Sequence, residues 1–211
     1  MLLLLIRHGT TDLTTKQLVG RTPGVHLNAA GRQQAERLVD RLQGISIDHV
    51  ACSPLERAQE TAAPLAAARS LPVQTDPDLS EANYGDWTGQ EFKALRRTDL
   101  WKQVQQRPAD ARFPGGEAGR EVQARFVGSI EALLTAHPKQ TVAAFSHADV
   151  IKAALAHYIG IHLDLFQRLH VAPAAVSALI LGAGPPGLVC VNEVGGLAEL
   201  LPQRRRRTRQ N

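Results

Sequence analysis

Five side chains in this sequence could do chemistry together. Arg7-His8-Gly9 and Ser146-His147-Ala148 place two imidazoles directly after apolar runs, residues 2–6 and 141–145. Arg57 follows a helix-start signal, Ser53-Pro54-Leu55-Glu56, and Glu81 sits in a segment rich in Asp, Gly and Pro. A neutral imidazole is a nucleophile or proton carrier near pH 7. Guanidinium groups grip tetrahedral oxyanions through paired N–H donors, and a carboxyl of raised pKa can protonate a leaving oxygen. Together these types suit phosphoryl transfer, with His8 attacking, Arg7, Arg57 and His147 spread over the phosphoryl oxygens, and Glu81 as acid. Each has a plainer reading when taken alone. A histidine after a strand is ordinarily a loop residue, and Glu81 by spacing reads equally well as a solvated carboxylate.

The elements that would position them alternate. A continuous apolar run bounded by turn residues reads as a buried parallel strand, and ligands of open α/β sheets gather at the carboxyl ends of such strands. After the first strand, Asn28 reads as an N-cap; Ala35, Leu38, Val39 and Leu42 form an apolar stripe that Gly44 ends. Strand two spans 48–52. Ser53 to Glu56 combines a capping box with proline at the first helical position, which puts Arg57 in the first turn of a helix running to about Arg69 despite Pro64. A short strand at 72–75, a loop at 76–89, a helix at 90–106 and a loop at 107–119 follow. Val122, Phe126, Ile130, Leu133 and Leu134 mark a further helical face, strand four leads into His147, and a helix at 149–158 closes at Gly160. Two last strands, 176–181 and 188–194, flank a Gly-Pro-Pro-Gly turn. Alternating βα units predict a three-layer α-β-α domain with a mainly parallel sheet.

Composition sets outer bounds. The length, 211 residues, suits one domain with a substantial core, and 44 % hydrophobic with 21 % charged residues is ordinary for a globular protein. The formal charge of +4 is misleading, since Arg204 to Arg207 and Arg209 supply five positive charges beyond Pro202. That end, residues 202–211, is expected to be a disordered basic tail, and residues 1–201 one domain. Weak polyanion binding by the tail stays open; nucleic acid is not the expected partner. Cys52 and Cys190 are too few for a disulfide framework or metal knuckle. The opening leucines are too short for a signal peptide and lack its basic start and cleavage site. No stretch reaches the roughly 20 apolar residues a membrane span needs. A cytoplasmic location is therefore expected. The other histidines, at 26, 49, 137, 157, 162 and 170, show no HExxH motif or tight ligand spacing, so no metal is expected. No P-loop or dinucleotide fingerprint occurs.

The sequence around these residues resembles the histidine phosphatase superfamily, in its phosphoglycerate-mutase-like branch. The likeness runs through Leu5-Ile6-Arg7-His8-Gly9-Thr10-Thr11, Gly20-Arg21, the stretch from Leu27 to Ala35, and Cys52-Ser53-Pro54-Leu55-Glu56-Arg57-Ala58. It returns from Leu79 to Gly89, at Phe113-Pro114-Gly115-Gly116-Glu117, and at Phe145-Ser146-His147. The resemblance implies a phosphohistidine on His8, a phosphoryl pocket of Arg7, Arg57 and His147, Glu81 as proton donor, and neither metal nor organic cofactor. Substrate-binding roles are implied for Arg7, Thr11, Thr14, Arg21, Arg57, Tyr84, His147 and Ala148. Two positions depart from the family pattern. Thr14 stands where Asn or Ser is usual, and Ala148 where glycine is usual.

Two activities fit. A phosphatase must admit water to the phosphoenzyme, whereas a mutase must hold a second acidic substrate in a dry site. The basic insertion typical of the glycolytic mutases is missing from the short stretch 90–113, which favours a phosphomonoester phosphatase close to the α-ribazole and broad-specificity branches. Tyr84-Gly85 resembles the mutase arrangement and keeps that alternative open. A non-catalytic phosphate-binding module is the alternative of another class; His8 and Glu81 argue against it, because binding needs neither nucleophile nor acid. Residues 84–115 are expected to form a lid over a small phosphorylated metabolite. A homodimer is left open.

Overall fold

The computed structural model describes residues 1–197 and 199–200. The expected basic tail and its boundary at 201 lie outside the described residues. Six strands form one sheet: β1 (Leu2–Arg7), β2 (His49–Cys52), β3 (Val73–Thr75), β4 (Thr141–Ser146), β5 (Val176–Ile180) and β6 (Gly187–Glu193). Their spatial order is β3-β2-β4-β1-β5-β6. The first four are parallel; β5 and β6 run antiparallel and finish one edge.

Side-chain alternation on β1 divides the core. Leu4 and Ile6 pack with Leu38 and Leu42 around α1 (Ala29–Arg41) and with Ala58, Ala62 and Leu65 of α2 (Glu56–Arg69). Leu3 and Leu5 point the other way, against Phe126 and Ile130 of α5 (Gly119–Ala136) and Val150, Ile151 and Leu155 of α6 (Ala148–Tyr158). A strand with both faces buried must be apolar throughout, which is why residues 2–6 read as an unbroken run. The result is the expected three-layer α-β-α sandwich. Among the described residues, no helix is long and apolar enough to cross a membrane.

Four local expectations need correction. The helix expected at 90–106 is two helices, α3 (Phe92–Leu95) and α4 (Asp99–Gln106), because the Thr98 hydroxyl accepts from the Trp101 amide and starts a new N-terminus. The first helix ends at Arg41, three residues before Gly44. The loop at 76–89 contains 3-10 turns at Pro77–Leu79 and Gly85–Trp87. The capping box at Ser53 does not form: α2 begins at Glu56 behind Leu55, without a side-chain cap. Ser53 Oγ is turned to His147 instead, and Glu56 Oε1 accepts from the Gly24 amide. Arg57 nonetheless stays in the first turn.

Candidate active site

Parallel register brings the key residues together. Arg7 lies opposite Ser146, and Cys52 opposite Phe145, so β1, β4 and β2 end level with one another. The next residues, His8, His147 and Ser53, therefore start from one rim, and the two imidazole centroids are 5.2 Å apart. The loop carrying His8 is held close to the start of α1. Any side-chain carbon at Gly31 would collide with the Thr10 carbonyl, so only glycine allows this approach. The Gly9 amide also donates to Thr61 Oγ1 of α2 at 2.9 Å.

His8 is buried, and its Nδ1 stands 2.7 Å from the Gly9 carbonyl oxygen. A carbonyl can only accept, so Nδ1 carries the proton and Nε2 keeps its lone pair. Burial first, then the positive charges of Arg57 and Arg7, push the His8 pKa down to about 3. The ring is neutral and nucleophilic near pH 7. Arg57 donates to the Gly20 carbonyl at 2.7 Å and to His147 Nδ1 at 3.3 Å; its other terminal nitrogen is buried without a partner among the described residues. Arg7 donates to the Val171 carbonyl at 2.7 Å, and its buried Nε is likewise unpartnered. Unsatisfied buried donors are rare and costly in folded proteins, and two beside one histidine point to an anion.

Glu81 is buried, with Oε1 accepting from the Ala82 amide at 2.9 Å. Burial, reinforced by the Asp149 charge, raises its pKa to about 7, against the opposing pull of that amide and of Arg57 and Arg7. Its loop is clamped from behind. Arg21 Nε donates to the Glu81 carbonyl at 2.8 Å, Arg125 to the carbonyls of Asp78 and Ser80, and both arginines pair with Glu117. Glu117 also accepts from the Asn83 amide at 2.7 Å, so the Phe-Pro-Gly-Gly-Glu segment braces the acid loop.

A cavity of about 270 Å³ opens in front of these groups. Arg7, His8, Thr11, Thr14, Arg57, Glu81, Tyr84 and Ala148 all line it. Thr14 Oγ1 accepts from the Thr11 amide at 2.9 Å and lies 3.1 Å from Thr11 Oγ1, so the two hydroxyls stand as a pair. Two expected binders fall outside the lining. Arg21 is spent on the Glu81 loop and Glu117. His147 is fully buried with both nitrogens engaged: Nδ1 accepts from Arg57, and Nε2–H donates to Ser53 Oγ at 2.8 Å. It stands behind Arg57 and is not among the residues lining the cavity. Sequence reasoning passed over Asp149 and Lys152, which also line the cavity, and Ser53, whose capping pattern hid its link to His147. Among the described residues, no group of three or more His, Cys, Asp or Glu could hold a metal ion.

A neutral imidazole, two arginines with unpartnered donors and a protonatable carboxyl around one cavity suit phosphoryl chemistry. The histidine phosphatase superfamily (branch 1) pattern matches residues 3–194. The chain belongs to the histidine phosphatase superfamily. It is 32% identical over 184 residues to the adenosylcobalamin/alpha-ribazole phosphatase of Escherichia coli, covering 85% of this chain and 89% of that protein. It is 30% identical over 183 residues to phosphoserine phosphatase 1 of Hydrogenobacter thermophilus, covering 84% and 85%. The solved alpha-ribazole phosphatase of Shigella flexneri superposes with a TM-score of 0.82 at 30% identity, over 93% of this chain and 98% of that one. This histidine phosphatase thus shares its three-layer architecture with enzymes that bear phosphatase names.

Proposed function

We propose that this histidine phosphatase hydrolyses phosphomonoesters of small metabolites through a phosphohistidine on His8. The observation that carries the reading is the free His8 Nε2, aimed from a ring fixed by the Gly9 carbonyl toward a cavity lined by Arg7 and Arg57. In the first step Nε2 attacks phosphorus, the P–O bond to the alcohol breaks, and Glu81 gives its proton to the departing oxygen. In the second step the Glu81 carboxylate takes a proton from water. The water oxygen attacks phosphorus, the N–P bond breaks, and phosphate leaves with Glu81 protonated again. Arg7 and Arg57 neutralise the phosphoryl oxygens in both steps. His147 and Ser53 hold Arg57 in place.

Hydrolysis is favoured over transfer to a second acidic substrate by the fate of Tyr84. Its hydroxyl donates to Asp149 at 2.8 Å and is not free for a substrate carboxylate. Residues 84–115 serve as the lid of a single domain, with Trp87, Trp101 and Phe113 forming its inner wall.

Rapid mixing with p-nitrophenyl phosphate tests the reading. A burst of one nitrophenol per chain is expected, with acid-labile, alkali-stable phosphate retained on the protein. His8→Ala should show neither. Retained label in that variant, or turnover at the wild-type rate, would remove His8 as the nucleophile.

A further inference from the structure

An ion pair that does not itself touch the nucleophile lies on the cavity wall, with one member, Asp149, also raising the Glu81 pKa. Asp149 and Lys152 both project from the first turns of α6, and Asp149 Oδ1 is 2.8 Å from Lys152 Nζ. The other carboxylate oxygen accepts from the Tyr84 hydroxyl at 2.8 Å. Lys152 donates in addition to Gln167 Oε1 at 2.8 Å and lies 5.0 Å from the Phe166 ring centroid. An acidic residue early in a helix often does no more than complement the helix dipole. Here both carboxylate oxygens are turned to side chains of the cavity wall.

We propose that Asp149 and Lys152 restrict the site to phosphomonoesters of uncharged alcohols and reject esters that carry a second anion. The inference rests on the phosphatase reading and narrows its substrate class. The charged groups lining the cavity are Arg7, Arg57, Lys152, Glu81 and Asp149. With Glu81 protonated, as a proton donor must be, three cations against one carboxylate leave two positive charges. One phosphate dianion cancels them. A carboxylate or second phosphate on the leaving group would find no unneutralised cation on the wall, since the Lys152 charge is paired with Asp149 and its ammonium also donates to Gln167. It would also meet the Asp149 charge, and like charges placed together in a partly dry site strongly disfavour the wrong ligand. The remaining wall is neutral: Gln105 and Gln167 offer hydrogen bonds to hydroxyls, and Trp87, Trp101 and Phe113 offer an apolar face. That lining fits a polyol or an alcohol bearing a flat apolar group.

Glycerol 3-phosphate and 3-phosphoglycerate test the filter, because they differ chiefly in a hydroxymethyl against a carboxylate. Binding is measured calorimetrically in a His8→Ala background, where hydrolysis does not interfere. Glycerol 3-phosphate is expected to bind at least about tenfold more tightly. Adding Asp149→Asn frees the Lys152 charge and should erase or invert that ratio. Adding Lys152→Met leaves Asp149 unbalanced and should widen it. Equal binding of the two esters, binding of neither, or a ratio that neither substitution moves would overturn the proposal. The nitrophenyl phosphate burst is independent of this filter: a chain that bursts without discriminating keeps the phosphatase reading and loses the inference, whereas one that discriminates without bursting keeps the charge filter as a binding property and loses the phosphohistidine route.

Discussion

At the scale of single residues, the site works by setting two protons against their ordinary habits. His8 is kept neutral because burial and two arginines disfavour imidazolium, and Glu81 holds its proton up to about pH 7 because burial and Asp149 disfavour carboxylate. Activity on alkyl phosphates should therefore fall as pH rises through about 7, where the Glu81 proton is lost. Glu81→Gln should remove that limb and lower alkyl-ester turnover by about 10²–10⁴-fold, with a smaller loss for aryl esters whose oxygens leave unprotonated. Steady-state rates across pH 5 to 9 on both ester types check this; equal losses would exclude Glu81 as the donor. Asp149→Asn takes away a charge that raises the Glu81 pKa, so the same limb should begin at lower pH.

At the scale of elements, short loops are fixed by contacts from other elements. The His8 loop is seated on α1 through Gly31, and Gly31→Ala should cost about 1–3 kcal/mol by forcing the Thr10 carbonyl aside. Denaturant melts would read that loss, and phosphoenzyme formation should fall further than stability does, since the displaced loop carries His8, the proposed nucleophile. Ser53 shows how local pattern is overridden. Its sequence context has every mark of a capping box, but its hydroxyl satisfies a buried imidazole N–H that would otherwise lack a partner. Ser53→Ala should cost about 1–3 kcal/mol for the orphaned His147 donor. It should also weaken phosphate binding by letting Arg57 drift, whereas a capping serine would affect helix stability alone. The break at Thr98 was equally hard to read, since residues 90–106 hold helix formers throughout and only the hydroxyl cap separates α3 from α4.

At the scale of the whole molecule, the protonation states that serve the site also govern stability. His8 titrates near 6.5 unfolded and near 3 folded, so the unfolded chain gains a proton first. Stability is lost as pH falls from about 6.5 towards 3, by up to roughly 5 kcal/mol. The buried His147, also held below its usual pKa by burial and by Arg57, acts in the same direction. Glu81 acts oppositely. Its folded pKa is raised, so the folded state takes up a proton first and gains up to roughly 3 kcal/mol as pH falls from about 7 towards 4.5. Urea midpoints at pH 8, 7, 5 and 4 should therefore drop more steeply for Glu81→Gln than for the wild type, and less steeply for His8→Gln. A common slope for all three proteins would show that neither group is perturbed as described.

The sequence by itself determined the layers and the strand ends. Unbroken apolar runs rich in Leu, Ile and Val and bounded by turn residues read as strands buried on both faces, and parallel strands deliver their following residues to one rim. Arg7 and His8 are expected at that rim for that reason, and both line the cavity; Glu81, beyond a 3-10 turn after β3, lines it too. What only the tertiary structure decided is which of these side chains face the cavity and which stand behind it. His147 and Arg21 are expected to bind phosphate; in the structure His147 bonds Ser53 and Arg57, Arg21 bonds Glu117 and the Glu81 carbonyl, and neither lines the cavity. Asp149 and Lys152 drew no notice in the sequence, yet they stand on the wall. Chain order fixes where a residue begins its reach; the orientation of its polar atoms depends on partners brought from distant segments, and no local pattern contains them.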